Sequence, residues 1–292
     1  MAERVEIIEC PRDAFQGIAA PIPTQRKVLH LQVLIEAGFD HIDCGSFVSP
    51  KAVPQMADTE QVLARLVIPS HVRLIGIIAN RRGLDRLLAC PSVREAGYPL
   101  SVAESFQQRN TGLDLGASRA LVAELAAHAR AAGRELVVYI SMAFGNPDGD
   151  PWSPDLVARE VERVAQLGVA AIQLADTVGR AAPAEVRSVF AACRDVVPPG
   201  TQLGLHLHAR PERFLEKLDG ALDAGCRRFD AALGGIGGCP FAGDDLVANL
   251  PTEHLLPALE SRGFLPSVSA RAIVGALDSA RRIAIEFGGK HR

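Results

Sequence analysis

The chain has 292 residues and a formal charge of −3, and 48% of its residues are hydrophobic. These values suit a globular protein with a sizeable core, and they give no reason to expect nucleic acid or an anionic membrane as a partner. The N-terminal stretch MAERVEIIEC lacks the apolar core of a secretion signal, and no apolar run approaches membrane-spanning length. We therefore expect a cytoplasmic protein that binds neither nucleic acid nor membranes.

The cysteines are scattered through the chain without any C-x-x-C pair. This spacing argues against a zinc ribbon and against a disulfide framework. Reduced thiols in a cytoplasmic protein are the simplest interpretation, with a catalytic role still open for one of them. The six residues are Cys10, Cys44, Cys90, Cys193, Cys226 and Cys239.

Short apolar, β-branched runs alternate with helical segments from one end of the chain to the other. The predicted strands cover residues 5–10, 41–46, 72–79, 98–103, 135–142, 170–177, 202–209 and 228–233. Helical periodicity marks residues 117–132 and 155–167, the second of them after a Ser153-Pro154 cap. This alternation predicts an α/β fold, a (β/α)₈ TIM barrel, with a doubly wound open sheet as the alternative. We expect a single domain over residues 1–292, with the barrel at about 5–262 and an extra C-terminal helix at about 268–288.

The predicted seventh strand, QLGLHLHA, carries His206 and His208. Residues two apart on a strand point to the same face, so both imidazoles face one side while the intervening leucines face the other. Two hydrogen-bonded core histidines are the plain interpretation of this pair. A metal site is the functional one, and the residues around the pair decide between them.

Polar residues collect at the C-terminal ends of the predicted strands, where barrels place their function. Arg12 and Asp13 are expected at the end of the first strand, where adjacent opposite charges point in different directions and do not readily pair with each other. They either form exposed ion pairs of little value or face inward. In the second case Asp13 is an oxygen ligand and Arg12 stabilises a developing oxyanion. With the two histidines and an amide such as Asn249, this mixed nitrogen and oxygen set suits Mg²⁺ or Mn²⁺, with Zn²⁺ as the alternative.

A glycine-rich turn at residues 234–238 follows the last predicted strand and leads into Cys239. The turn could cradle a phosphate, but it fits the dinucleotide-binding pattern poorly. Cys239 is either a small buried hydrophobe or a thiol that transfers a proton from a mobile loop. The glycines beside it favour the second interpretation.

The motifs ECPRDAFQ, IDCGSFVSPKAVPQMADT, YISMAFGNP, LADTVG, GLHLHA, GGIGGCPFA and NLPTE follow one another along the chain. Their order and spacing resemble the 3-hydroxy-3-methylglutaryl-CoA lyase family, within a superfamily of metal-dependent TIM-barrel lyases and acyltransferases. The resemblance covers about residues 5–256. It implies cleavage of 3-hydroxy-3-methylglutaryl-CoA to acetyl-CoA and acetoacetate, with an acyl-CoA substrate, a place in leucine degradation and a homodimer.

The resemblance also implies roles for individual residues. Asp13, His206, His208 and Asn249 would bind the divalent cation. Arg12 would stabilise the enolate oxygen, Cys239 would act in proton transfer, and Asp13 is the candidate base. The substrate pocket would be lined by Gln16, Asp43, Ser46, Tyr139, Asp176 and Thr177.

Several positions depart from the family pattern beside the acyl group. Cys10, Ala14 and Phe15 replace the residues of the common GPRDGLQ, and Asp43 replaces a glutamate. These changes concern the choice of substrate more than the type of reaction. A lyase for citramalyl-CoA or for a larger 3-substituted glutaryl-CoA is the nearest alternative, followed by a Claisen-type synthase, an aldolase and an inactive acyl-CoA-binding protein.

Overall fold

Eight parallel strands form the centre of the fold in the computed structural model, which describes residues 2–210, 213–237 and 247–288. They are β1 Arg4–Glu9, β2 His41–Ser46, β3 Arg73–Ile77, β4 Glu95–Ser101, β5 Glu135–Ser141, β6 Ala171–Asp176, β7 Gln202–Leu207 and β8 Arg228–Ala231. Each strand pairs in parallel with the next, and β1 pairs with both β8 and β2. The sheet therefore closes, and the predicted TIM barrel is confirmed.

Helices surround the barrel and connect its strands. They are α1 Pro11–Gln16, α2 Thr24–Glu36, α3 Thr59–Leu63, α4 Arg81–Leu88, α5 Glu104–Thr111, α6 Leu115–Ala131, α7 Pro154–Ala165, α8 Pro183–Arg194, α9 Phe214–Asp223, α10 Thr252–Ser261 and α11 Val274–Phe287. The outward-facing strand residues pack on them; Leu205 and Leu207 of β7, for example, share one core cluster with Val186 and Val189 of α8. Ser153 caps α7 as predicted, since its side chain accepts a hydrogen bond from the amide of Leu156.

Several boundaries differ from the sequence prediction; β4, for example, covers Glu95–Ser101 where residues 98–103 were predicted. Arg12 and Asp13 do not lie on a strand end, because Pro11 begins the short helix α1, where proline has no amide to lose. The C-terminal helix begins at Val274, not near residue 268, because residues 270–272 form a turn. Before that turn a two-residue strand, β9 Leu265–Pro266, pairs with β1 outside the barrel.

The lower half of the barrel interior is polar. His41 lies between the carboxylates of Glu6 and Glu95, with Nδ1 2.8 Å from Glu6 Oε1 and Nε2 3.0 Å from Glu95 Oε2. Gln173 fills the neighbouring space so closely that a Cβ atom at position 204 would lie 1.9 Å from its Oε1 atom. This crowding requires Gly204 in the strand that carries the two site histidines.

Within the described residues, no helix combines the length and the apolar character needed to cross a bilayer.

Candidate active site

Three side chains converge at the C-terminal end of the barrel. Asp13 lies in the first turn of α1, His206 lies in β7, and His208 follows that strand directly. One carboxylate oxygen and one nitrogen from each ring lie within 4.8 Å of one another, and all three residues are buried. A second group, Cys10 with His206 and Asp230, shares its histidine with the first and does not form an independent set.

Each histidine has one ring nitrogen held by a neighbour. His206 Nδ1 lies 2.9 Å from Asp230 Oδ2, and His208 Nδ1 lies 3.2 Å from the carbonyl oxygen of Thr177. A carbonyl only accepts, so His208 carries its proton on Nδ1 and leaves Nε2 with a free electron pair. That Nε2 atom is buried and has no hydrogen-bond partner among the described residues.

These observations test whether the residues suit a divalent cation. A buried nitrogen without a partner is costly unless something else binds it. Metal-binding histidines usually donate their other N–H to a carboxylate or a backbone carbonyl, as both rings do here. The donor set of one carboxylate and two imidazoles therefore fits a divalent metal ion.

Asn249 approaches the same place from the segment before α10. Its Nδ2 atom donates to Asp13 Oδ2 at 2.7 Å and to the carbonyl oxygen of Ile236 at 3.0 Å. Because Nδ2 makes both hydrogen bonds, the Oδ1 atom is the part of the amide that is left to bind a cation. Asn249, the predicted fourth ligand, therefore lies beside the carboxylate of Asp13.

The electrostatics of the site keep Asp13 and His208 in the forms that a metal needs. Burial raises the pKa of Asp13, but the charge of Arg12 and the two nearby histidines outweigh it and lower the pKa to about 2. Burial lowers the pKa of His208 to about 4, assisted by the charge of His206. Asp13 is therefore ionised and His208 is neutral at neutral pH.

Arg12 is held in place by three side chains. Its Nε and Nη2 atoms both donate to Asp43, at 3.0 and 2.5 Å from Oδ2. The Nη1 atom donates to Asp13 Oδ1 at 2.9 Å and to Gln16 Oε1 at 3.2 Å. Arg12 thus pairs directly with its neighbour Asp13, contrary to the expectation that adjacent charges would point apart. A guanidinium fixed by a fork of this kind is preorganised for a developing negative charge.

A cavity of about 170 Å³ opens beside these residues. Its polar lining consists of Asp13, His206, His208 and Arg12 together with Gln16, Ser46, Asn110, Thr111, Tyr139, Ser141 and Thr177. Its other side is a hydrophobic wall, which we define as Val48, Ala52, Val53, Ile77, Ala79, Pro99 and Phe106. Such a mixture is typical of a small-molecule site that orients a partly apolar ligand.

The model of the HMGL-like family matches residues 4–279. The chain belongs to the HMGL-like family. It is 30% identical to hydroxymethylglutaryl-CoA lyase of Pseudomonas mevalonii, over 99% of this chain and 95% of that protein. It is 31% identical to (R)-citramalyl-CoA lyase of Chloroflexus aurantiacus, over 94% and 90% of the two chains. The solved HMG-CoA lyase of Acinetobacter baumannii, in complex with coenzyme A and 3-methylmalate, superposes with a TM-score of 0.89 at 30% identity, over 97% and 91%.

The structure brings most of the predicted site residues of this HMGL-like chain to the cavity, but not all. Asp43 lies behind Arg12 and does not line the cavity, and neither does Asn249, which contacts Asp13 from outside it. Asp176 also lies away from it, since its carboxylate contacts Lys217 Nζ at 2.6 Å and the amide of Ala181. The predicted catalytic Cys239 lies outside the described residues.

Two residues of the site were missed from the sequence. Asp230 orients His206, and its position inside the short strand RFDA was the available signal, because a carboxylate in a buried strand needs a partner. Lys217 donates to the carbonyl oxygens of His208 and Gly179, at 2.8 and 2.9 Å. It lies in the amphipathic helix α9, where a lysine is expected at the surface, so no sequence signal marked it.

Proposed function

We propose that this protein is a divalent-metal-dependent carbon–carbon lyase that cleaves 3-hydroxy-3-methylglutaryl-CoA to acetyl-CoA and acetoacetate. The observation that carries the proposal is a fixed guanidinium, that of Arg12, in one cavity with a carboxylate and two imidazoles. The family and the two lyase relatives support the same type of reaction and a CoA thioester as the substrate.

The residues that would hold the cation are Asp13, His206, His208 and Asn249. When bound, a divalent cation such as Mg²⁺ or Mn²⁺ supplies Lewis acidity that lowers the pKa of a hydroxyl group and polarises a carbonyl. Oxygen and imidazole donors without a thiolate favour these ions over softer ones, with Zn²⁺ as the alternative.

Arg12 acts on the charge that bond cleavage creates. When the bond between C2 and C3 breaks, its electron pair moves onto the thioester carbonyl and forms an enolate. The guanidinium of Arg12 neutralises that oxygen, and Asp43 keeps the guanidinium in position throughout. The Arg12 side chain is only 10% exposed, and the low dielectric of such surroundings strengthens this interaction.

Two proton transfers complete the reaction: the 3-hydroxyl group loses a proton as the ketone forms, and C2 gains one to give acetyl-CoA. Asp13 is ionised, with a pKa lowered to about 2, and is our candidate to accept the proton of the 3-hydroxyl group while it also holds the cation. Cys239 is our candidate for the second transfer. Cys239→Ser should therefore lower kcat while leaving cation affinity unchanged, whereas His206→Ala should lower both.

The hydrophobic wall also suits an alternative substrate, with a larger acyl group, that undergoes the same type of cleavage. Two of its residues, Ala52 and Ala79, are small, and an alkyl substituent larger than methyl would contact these apolar side chains. The citramalyl-CoA lyase relative supports a shorter acid as a further alternative. All three substrates have a 3-hydroxyl group and a thioester, and these are the groups on which the polar residues of the cavity would act.

The test is an assay of the purified protein with 3-hydroxy-3-methylglutaryl-CoA that follows acetyl-CoA and acetoacetate, with and without Mg²⁺ or Mn²⁺. Equal amounts of both products, formed only with the cation and abolished by a chelator, are expected. The same assay is run with citramalyl-CoA and with 3-alkyl-substituted glutaryl-CoA thioesters. Turnover of one of these alone would keep the reaction type and change the acyl group; turnover of none would contradict the proposal.

The cytoplasmic location is supported by the free thiols of Cys10, Cys44, Cys90, Cys193 and Cys226. The place in leucine degradation and the homodimer stay predictions from the sequence.

A further inference from the structure

Glu9 is a buried acidic residue at the end of β1 that the proposed reaction does not use, and burial raises the pKa of its carboxyl group to about 8. It is 1% exposed and accepts two hydrogen bonds, from the amide of Leu233 at 2.8 Å and from Thr252 Oγ1 at 2.6 Å. Glu9 and Thr252 belong to the motifs ECPRD and NLPTE, in which only Arg12, Asp13 and Asn249 have roles so far. Burying a carboxyl group costs free energy unless it is hydrogen-bonded, so these two contacts are what allows Glu9 to be buried.

The two partners of Glu9 lie on opposite sides of the connection between β8 and α10. Leu233 lies at its start, just after β8, and Thr252 follows its end as the first residue of α10. The two ends also bind each other, because the amide of Ala232 donates to the carbonyl oxygen of Leu250 at 2.9 Å. One carboxyl group therefore fastens both ends of the segment to β1.

That segment determines where Asn249 lies. Asn249 lies near the end of the connection, and its Nδ2 atom donates to the carbonyl oxygen of Ile236, near the start of the connection. The same atom donates to Asp13 Oδ2 in α1. Gly237, with a φ of +96°, packs so closely that a Cβ atom there would lie 2.8 Å from Ala14 Cα and 2.9 Å from Asn249 Nδ2. Because these contacts are so close, a displacement of either end of the connection between β8 and α10 moves Asn249 relative to Asp13.

We propose that Glu9 and Thr252 form a positioning pair, which fixes the amide of Asn249 against the carboxylate of Asp13 and so sets the affinity of the site for a divalent cation. The pair acts through hydrogen-bond geometry and touches neither substrate nor cation. The inference rests on the proposed function, since it assumes that Asp13 and Asn249 hold the cation. Residues that hydrogen-bond a metal ligand typically contribute 10- to 100-fold in metal affinity. Glu9 and Thr252 contact neither Asp13 nor Asn249 directly, so an effect of roughly tenfold, at the low end of that range, is expected.

The first experiment measures Mn²⁺ affinity by calorimetry, without substrate, in the wild type and in Thr252→Val and Thr252→Ser. Valine keeps the shape and removes the hydroxyl group, whereas serine keeps the hydroxyl group. We expect roughly tenfold weaker binding in Thr252→Val and affinity within about twofold of wild type in Thr252→Ser. Thr201→Val is the matched control, because it removes a hydroxyl group that bonds Val169 at the other end of β7.

A merely structural role would lower the thermal midpoint of Thr252→Val and leave Mn²⁺ affinity within about twofold of wild type; that result would overturn the proposal. Glu9→Gln provides a second test should Thr252→Val not fold. Glutamine can still accept from Leu233 and can donate to Thr252 Oγ1, so wild-type affinity is expected. A tenfold loss of Mn²⁺ affinity in Glu9→Gln would show that the pair does not act through hydrogen-bond geometry, and it would overturn the proposal. Failure of the wild type to bind Mn²⁺ would instead contradict the proposed function.

Discussion

The Oδ2 atom of Asp230 lies 2.9 Å from Nδ1 of His206, and this contact determines which nitrogen of the ring is free. A carboxylate that accepts from Nδ1 keeps the proton there and leaves Nε2 unprotonated for the cation. Burial lowers the pKa of His206, but the hydrogen bond and charge of Asp230 outweigh it, so the pKa is raised. Asp230 therefore orients the ring and makes it a stronger electron donor.

Asp230→Asn should weaken Mn²⁺ affinity roughly 10- to 100-fold, because the amide can still accept from His206 but no longer carries charge. The fold should tolerate the change, since Gln173 now donates to Asp230 and its unbonded Oε1 atom could accept from the new amide. Calorimetric titration with Mn²⁺ measures the effect. Asp219→Asn, which alters an exposed pair with Arg262, is the control. Equal affinities in the two variants would show that Asp230 only fills space.

The sequence predicts the barrel and its ligand-bearing strand because both depend on local patterns. Apolar runs of strand length alternate with helical periodicity, and the two-residue spacing of His206 and His208 places both rings on one face. Polar residues at strand ends mark the site, since barrels expose those ends together. These signals need no knowledge of which distant residues meet.

The features that were missed depend on contacts between distant residues. Lys217 reaches Asp176, 41 positions away, and nothing in the pattern of α9 distinguishes it from a surface lysine. The helix α1 was missed for a different reason, because the six residues from Pro11 to Gln16 are too few to show helical periodicity. Only the folded chain shows that Asp43 supports Arg12 from behind the cavity.

Arg12→Lys should lower kcat by about 10²- to 10³-fold with Mn²⁺ affinity little changed. A lysine keeps one positive charge but cannot form the fork that Asp43 now accepts, so the charge is no longer fixed beside the enolate oxygen. Steady-state kinetics with saturating Mn²⁺ test this. The control is Arg187→Lys, at an exposed pair with Asp223. A raised KM with unchanged kcat would mean that Arg12 binds the ground state and the transition state equally.

The pair of the buried His41 and the half-buried Glu6 should make stability depend on pH. Burial lowers the pKa of His41, but the hydrogen bonds that it donates to Glu6 and Glu95 outweigh burial and raise the pKa above 6.5. Its contribution is therefore complete below pH 6.5 and is lost as the pH rises through the raised value. Burial raises the pKa of Glu6, yet His41 and Arg228 lower it to about 2, so its contribution is lost as the pH falls from 4.5 towards 2.

We expect the thermal midpoint of the wild type to exceed that of His41→Gln by several degrees near pH 5.5 and by less at about pH 8.5. Calorimetry at one scan rate measures both proteins. His71→Gln, at an exposed position, should follow the wild type at each pH. A constant difference between wild type and His41→Gln across this range would show that His41 contributes by packing and not by charge.

Lys217→Met should cost about 3–5 kcal/mol of unfolding free energy, because it leaves the buried carboxylate of Asp176 without its cation. It also removes the donor to the carbonyl oxygen of His208, so Mn²⁺ affinity should fall as well. Asp176→Asn distinguishes support from substrate binding: we expect lower stability and little change in KM. Urea denaturation and steady-state kinetics measure the two effects. A raised KM in Asp176→Asn at wild-type stability would instead place Asp176 against the substrate, as the sequence resemblance implies.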